Sequence, residues 1–129
     1  MATIDDVRRV ALALPEVTEK PAWGNATWRV GGLMFVWDRP LRAKERAELG
    51  DDAPDGPVMG ARVEDLGEKK ALLTADPDAF FTVSHFDGHA SVLVRLDRVD
   101  PDRLAEIVED AWLARAPQKL AAAYLDQGG

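Results

Sequence analysis

The sequence predicts an α+β domain: an antiparallel sheet of about five strands with N-terminal and C-terminal helices packed on it. Three observations carry this. Residues 23 to 37, WGNATWRVGGLMFVW, read as a β-hairpin, because Ala26 to Val30 and Leu33 to Trp37 are short runs rich in aromatic and β-branched residues around Gly31-Gly32. Phe80 to Ser84 and Ser91 to Leu96 read as two more strands, joined through a turn at Phe86-Asp87-Gly88. Helical spacing of apolar residues marks both ends of the chain.

The elements follow in order. Thr3 and Asp6 form a capping-box-like start, and Val7, Val10, Ala11 and Leu14 repeat at helical intervals until Pro15 stops the helix. The hairpin comes next. Residues 38 to 57, DRPLRAKERAELGDDAPDGP, are polar and punctuated by Pro and Gly, with one or two helical turns at Leu41 to Leu49 closed by Gly50. This is the segment expected to be mobile. Val58 to Val63 reads as a third strand. Glu68 to Ala75 reads as a short helix ended near Pro77, since the residue before proline disfavours α geometry. After the second pair of strands, Asp100 is the expected N-cap with Pro101 in the first helical position, and Leu104, Ile107, Val108 and Ala111 form an apolar stripe. Ala116-Pro117 breaks that helix, and Gln118 to Leu125 can form a last one.

Composition narrows the functional classes. A chain of 129 residues fits one domain, residues 1 to 129, with a self-sufficient core. It has no cysteine, which excludes disulfides, thiol nucleophiles and thiolate metal sites. The N-terminal MATIDDVRRV carries acids where a signal peptide needs basic residues, and no apolar run approaches the ~18 residues of a membrane helix. A cytoplasmic location without membrane partners is the resulting expectation. Net charge is −7, from 16 basic and 23 acidic residues, which opposes unspecific attraction to nucleic acid. The charge is uneven: residues 1 to 46 carry 8 Lys/Arg against 6 Asp/Glu, whereas residues 47 to 78 carry 3 against 9.

Two surfaces are candidates for function. Arg29, with the basic cluster Arg39, Arg42, Lys44 and Arg46, could line a groove that contacts phosphates, with the 38–57 loop laid along a nucleic-acid backbone. Its bland counterpart is a solvated loop whose cations pair with Asp38, Glu45 and Glu48. Alternatively, the sheet and that loop form a concave pocket for a small molecule or peptide, lined by Trp23, Trp37 and His85. Strand alternation assigns Trp28 to the core; Trp112 is read as core packing as well, while Trp23 and Trp37 sit at element ends. His85-Phe86-Asp87-Gly88-His89 places three potential metal ligands on a turn without a rigid frame, so a turn stabilised by Asp87 is expected and no metal or cofactor is assigned. Ser84 and Ser91 lack a nucleophile elbow, and the glycines lack the spacing of phosphate-binding loops. No catalytic residue is assigned.

Taken together, Leu14-Pro15-Glu16-Val17, the tryptophan-rich hairpin and HFDGHASVLVRLDRVD at 85 to 100 resemble the MmcQ/YjbR family, over about residues 4 to 125. The resemblance implies a compact α+β domain described as CyaY-like or "double wing", with a DNA-binding label. A lysine that family members often carry after the turn glycines is Leu33 here, whereas a lysine on the third strand corresponds to Arg62, which adds Arg62 to the nucleic-acid set. The first reading is thus a non-catalytic domain binding DNA weakly and in a salt-dependent manner; the second is a ligand- or peptide-binding module.

Overall fold

The computed structural model describes residues 1–128. Helix α1 (Ile4–Leu12) begins at N-cap Thr3, whose hydroxyl accepts from the Asp6 amide at 3.2 Å while the Asp6 carboxylate accepts from the Thr3 amide at 2.9 Å. This reciprocal pair satisfies two amides at a helix start that has no intrahelical acceptors for them. Strands β2 (Asn25–Val30) and β3 (Leu33–Asp38) form the expected hairpin, with Gly31 and Gly32 at φ 58° and 79°. Helix α2 (Ala43–Leu49) ends at Gly50, also left-handed at φ 59°. Strand β4 (Val58–Arg62), helix α3 (Leu66–Ala75), strands β5 (Phe80–Phe81) and β6 (Ser91–Arg95), and helices α4 (Pro101–Arg115) and α5 (Gln118–Asp126) complete the chain. Asp100 caps α4 by accepting the Arg103 amide at 2.8 Å.

The expectation of about five strands is corrected to six. Strand β1 (Thr18–Ala22) pairs antiparallel with β2 and forms one edge of the sheet, whose order is β1-β2-β3-β4-β6-β5. Its sequence, TEKPA, has no apolar alternation because nearly all of it faces solvent. Proline and lysine suit such a position, since an edge strand need not donate outward and charge discourages further pairing. At the opposite edge, the strand expected over Phe80 to Ser84 stops at Phe81. Beyond it the chain turns across the sheet so that Val83, 1% exposed, packs on the face away from α4.

Two layers of apolar side chains result. On the inner face Trp28, Val36, Met59, Ala61, Val92 and Val94 meet Val7, Ala11, Leu104, Val108 and Trp112 of α1 and α4. Alternation alone does not explain Phe35, Val36 and Trp37, three consecutive buried residues. A bulge does: Trp28 faces Val36 but Arg29 faces Met34, leaving Phe35 as the extra residue that also enters the core. On the outer face a smaller cluster of Val58, Phe81, Val83 and Leu93 is covered by Leu41, Leu49 and Phe86. The 38–57 segment, expected as a mobile connection, is therefore packed, with Glu45 4% exposed and Pro54 buried. Its cover extends over β4, β5 and β6 but stops short of β1 and β2.

Gly60 on β4 lies beneath the Trp37 indole, and a Cβ there would overlap the ring well inside contact distance. Gly60→Ala is expected to cost about 1–3 kcal/mol through overpacking, measured by urea denaturation. It should also change the fluorescence of Trp37, which must move to make room.

Candidate functional site

The uncovered part of the outer face holds a cavity of about 600 Å³. Its floor comes from β2 and β3 through Thr27, Met34 and Trp37; one wall is the segment from Asp38 to Arg42, and His85 and Phe86 close a side. The rim opposite is the tip of the β1–β2 hairpin. Trp23, Trp37 and His85, proposed from sequence as pocket residues, do line one cavity.

Trp23 is an unusual rim residue. It has φ 51° and is followed by Gly24 at φ 79°, so the pair forms a two-residue turn in which both central residues are left-handed. Glycine, asparagine or aspartate normally occupies that first position, because a bulky side chain there strains the backbone. The indole gains nothing from burial in return, being 94% exposed. A large aromatic held in solvent on a strained turn at the mouth of a cavity is an arrangement that folding alone does not favour. Trp28 and Trp112, by contrast, are fully buried, as expected.

The opposite wall is fixed by bonds that no sequence motif announces. Glu48 of α2 accepts from both the amide and the hydroxyl of Ser84, each at 2.8 Å. Lys69 of α3, 7% exposed, donates to the Phe86 and His89 carbonyls at 2.7 and 2.9 Å. Burial pulls the Lys69 ammonium below its ordinary pKa, and nearby Asp87 partly offsets this. Residues 84–89 are thereby clamped from two helices. Phe86 packs edge-on between the rings of His85 and His89, with centroids 4.9 and 6.4 Å away. Among the described residues, no group of three His, Asp or Glu side chains is arranged to hold a metal ion.

The basic residues singled out from sequence divide into two groups. Arg39 is spent on the fold: its guanidinium donates to both Glu45 carboxylate oxygens at 2.9 and 2.7 Å and lies 5.3 Å from the Phe86 ring centre. Arg46 donates to the Pro54 carbonyl at 3.0 Å. Arg42 lines the cavity and Lys44 is exposed on α2. Arg29 lies on the outer face opposite Met34, while Arg62 lines a second depression of about 210 Å³ that shares Met34, Trp37, His85 and Phe86 with the main cavity. The six residues thus do not form one continuous strip. Pairing within the loop, foreseen for Glu45, accounts for part of the difference. Trp23 was legible as an aromatic at the end of an element; Glu48 and Lys69 were not, because their partners are 36 residues and 17 to 20 residues away.

A six-stranded antiparallel sheet, helical on one face and half covered on the other around an apolar cavity, defines an α+β domain. Comparison places it further. The YjbR family model matches residues 12–114, and the chain belongs to the YjbR family. It is 42% identical over 132 residues to uncharacterised protein Rv2570 of Mycobacterium tuberculosis and to Mb2600 of Mycobacterium bovis, with all of both chains covered in each case. The crystal structure of Deinococcus radiodurans protein DR2400, a DUF419 domain, is similar in fold with a TM-score of 0.64 at 23% identity. That match covers 88% of this chain and 78% of the other. No described helix is long and apolar enough to cross a membrane.

Proposed function

We propose that this protein is a non-catalytic cytoplasmic binding module whose outer-face cavity takes a small molecule or a short peptide segment. The observation that carries the reading is the convergence of Trp23, Met34, Trp37 and Phe86 on one cavity of about 600 Å³, with Trp23 held exposed at its mouth. Ligand sites are usually concave and mainly apolar, with a few polar groups for orientation; Asn25, Thr27 and Arg42 supply them here. The Ser84 hydroxyl is bonded to Glu48 and the His85 ring rests on Phe86, which favours binding over nucleophilic chemistry. Nucleic acid is the weaker candidate, since Arg39 and Arg46 are engaged within the fold and net charge is −7.

The neutral apolar fluorophore N-phenyl-1-naphthylamine provides the test. Saturable enhancement is expected, weakened about two- to tenfold in Trp23→Asn through loss of the aromatic contact. Because asparagine tolerates the left-handed turn, the same variant should keep or gain stability in urea titration. No enhancement with the wild type, or full binding by Trp23→Asn, would sink the cavity reading. In parallel, labelled duplex and single-stranded DNA should show no salt-sensitive binding between about 50 and 200 mM salt; a steep salt dependence would instead restore the phosphate-contacting surface.

A further inference from the structure

The depression of about 210 Å³ that adjoins the main cavity contains two arginines, Arg62 and Arg115. Arg62 ends β4 on the outer face, directly across from Ser91 of β6. Arg115 ends α4, and the next turn of chain is fixed nearby, because the position of a Cβ on Gly31 would lie 3.2 Å from the Pro117 ring. The helix end is therefore held against the β2–β3 turn, and its last arginine reaches the depression beside Arg62.

Most of the other arginines are engaged within the fold. Arg8, Arg9, Arg39, Arg98 and Arg103 form ion pairs, and Arg46 and Arg95 donate to backbone carbonyls. Among the described residues, Arg62 and Arg115 have neither kind of partner. A cation at a helix C-terminus often bonds the last carbonyls, but the Arg115 Nε is buried with no acceptor. Buried donors without partners are rare in folded proteins and ask for a reason. Burial, and then the charge of Arg62, hold the Arg115 guanidinium below its ordinary pKa.

The lining of the depression suits an anion, although Arg62 also borders a smaller hollow on its other side that holds Glu68 and Asp110. Ser91 brings a hydroxyl, His85 and His89 bring ring nitrogens, and the residues that clamp the histidine loop keep them in place. Guanidinium groups recognise carboxylate and phosphate oxygens through paired N–H donors, and such charge-assisted bonds are the strong ones. Met34, Trp37, His85 and Phe86 are common to both hollows, so an anion here lies next to the apolar floor.

We propose that Arg62 and Arg115, with Ser91, His85 and His89 around them, form an oxyanion subsite, so that the ligand is an aromatic or apolar molecule bearing a carboxylate or phosphate. This rests on the cavity reading above and names the class of ligand it selects.

Isothermal titration of the full chain with benzyl alcohol, phenylacetate and phenyl phosphate tests it, alongside the neutral fluorophore. At least one anion should bind about ten- to a hundredfold more tightly than benzyl alcohol, as expected for one added hydrogen bond to a charged group. Which anion gains more decides between carboxylate and phosphate. In Arg62→Gln/Arg115→Gln the advantage should vanish while fluorophore binding stays; if the pair of changes impairs folding, Arg115→Gln alone carries the same comparison. Equal binding of charged and neutral ligands, or an advantage that survives both substitutions, would overturn the subsite and leave the cavity standing. Anion binding lost in the double variant with the fluorophore silent would do the reverse.

Discussion

Trp112→Ala is expected to lower the unfolding free energy by about 3–5 kcal/mol, the range for emptying a large aromatic site in a close-packed core. Trp112 is 0% exposed and stands where α1, α4 and α5 meet. Its indole N–H donates to the Pro15 carbonyl at 3.1 Å, tying α4 to the turn after α1, and its ring lies 4.9 Å from that of Tyr124 on α5. Truncation therefore removes dispersion contacts, opens a void and deprives the Pro15 carbonyl of its donor, three losses in one direction. Trp112→Phe should retain much of the packing and lose the bond, giving an intermediate cost. Equilibrium urea denaturation measures both; an alanine variant within about 1 kcal/mol of the wild type would mean that this junction contributes little.

The second large effect is expected at Glu45. Arg39 and Glu45 are 11% and 6% exposed in their side chains, and removing one member of a nearly buried pair leaves the other charge desolvated without compensation. Glu45→Ala should therefore cost about 3–5 kcal/mol, whereas Arg39→Met with Glu45→Leu should recover most of it. The carboxylate also accepts from the Arg42 amide at 3.0 Å, so its loss frees the start of α2 and the wall of the cavity between Arg39 and Arg42. Fluorophore binding should fall together with stability. The pH dependence has a definite sign. Burial pushes the Glu45 carboxyl upward, but the Arg39 guanidinium and the Arg42 amide outweigh it and leave the group below its ordinary value. A carboxylate depressed in the folded state stabilises above its unfolded pKa and loses that contribution as pH falls through the folded one. The gap between wild type and Glu45→Ala should thus be full near neutrality and shrink below about pH 4. A gap independent of pH would show that packing, not charge, carries the effect.

Local chemistry made much of the fold legible. Thr3 with Asp6, Gly50, Asp100 with Pro101, and Gly31-Gly32 each act through bonds or dihedrals within a few residues, and each is found where the sequence placed it. Strand β1 escaped because its pairing with β2, not its composition, makes it a strand, and a solvent-facing edge leaves no apolar pattern. The early end of β5 escaped for a related reason, since Val83 and Phe86 are drawn to the outer face by contacts with Leu93 and Leu41 that lie elsewhere in the chain. Trp23, Trp37 and His85 could be named as pocket residues by their types and positions. That Arg39 belongs to the fold and Arg115 to the second hollow could not, because charge in a sequence does not state which partner a side chain meets.

By itself, then, the sequence determined the α+β class, the order of the helices, the central hairpin and the membership of Trp28 and Trp112 in the core. These follow from periodicity and capping, which operate over one turn of helix or one pleat of strand. Only the tertiary structure decided that the outer face is half covered, that Glu48 and Lys69 clamp the 84–89 loop, and that Arg62 and Arg115 line one depression with no ion pair to either among the described residues. Those features depend on contacts between residues far apart in the chain, where the identity of a neighbour is set by sheet order and helix packing.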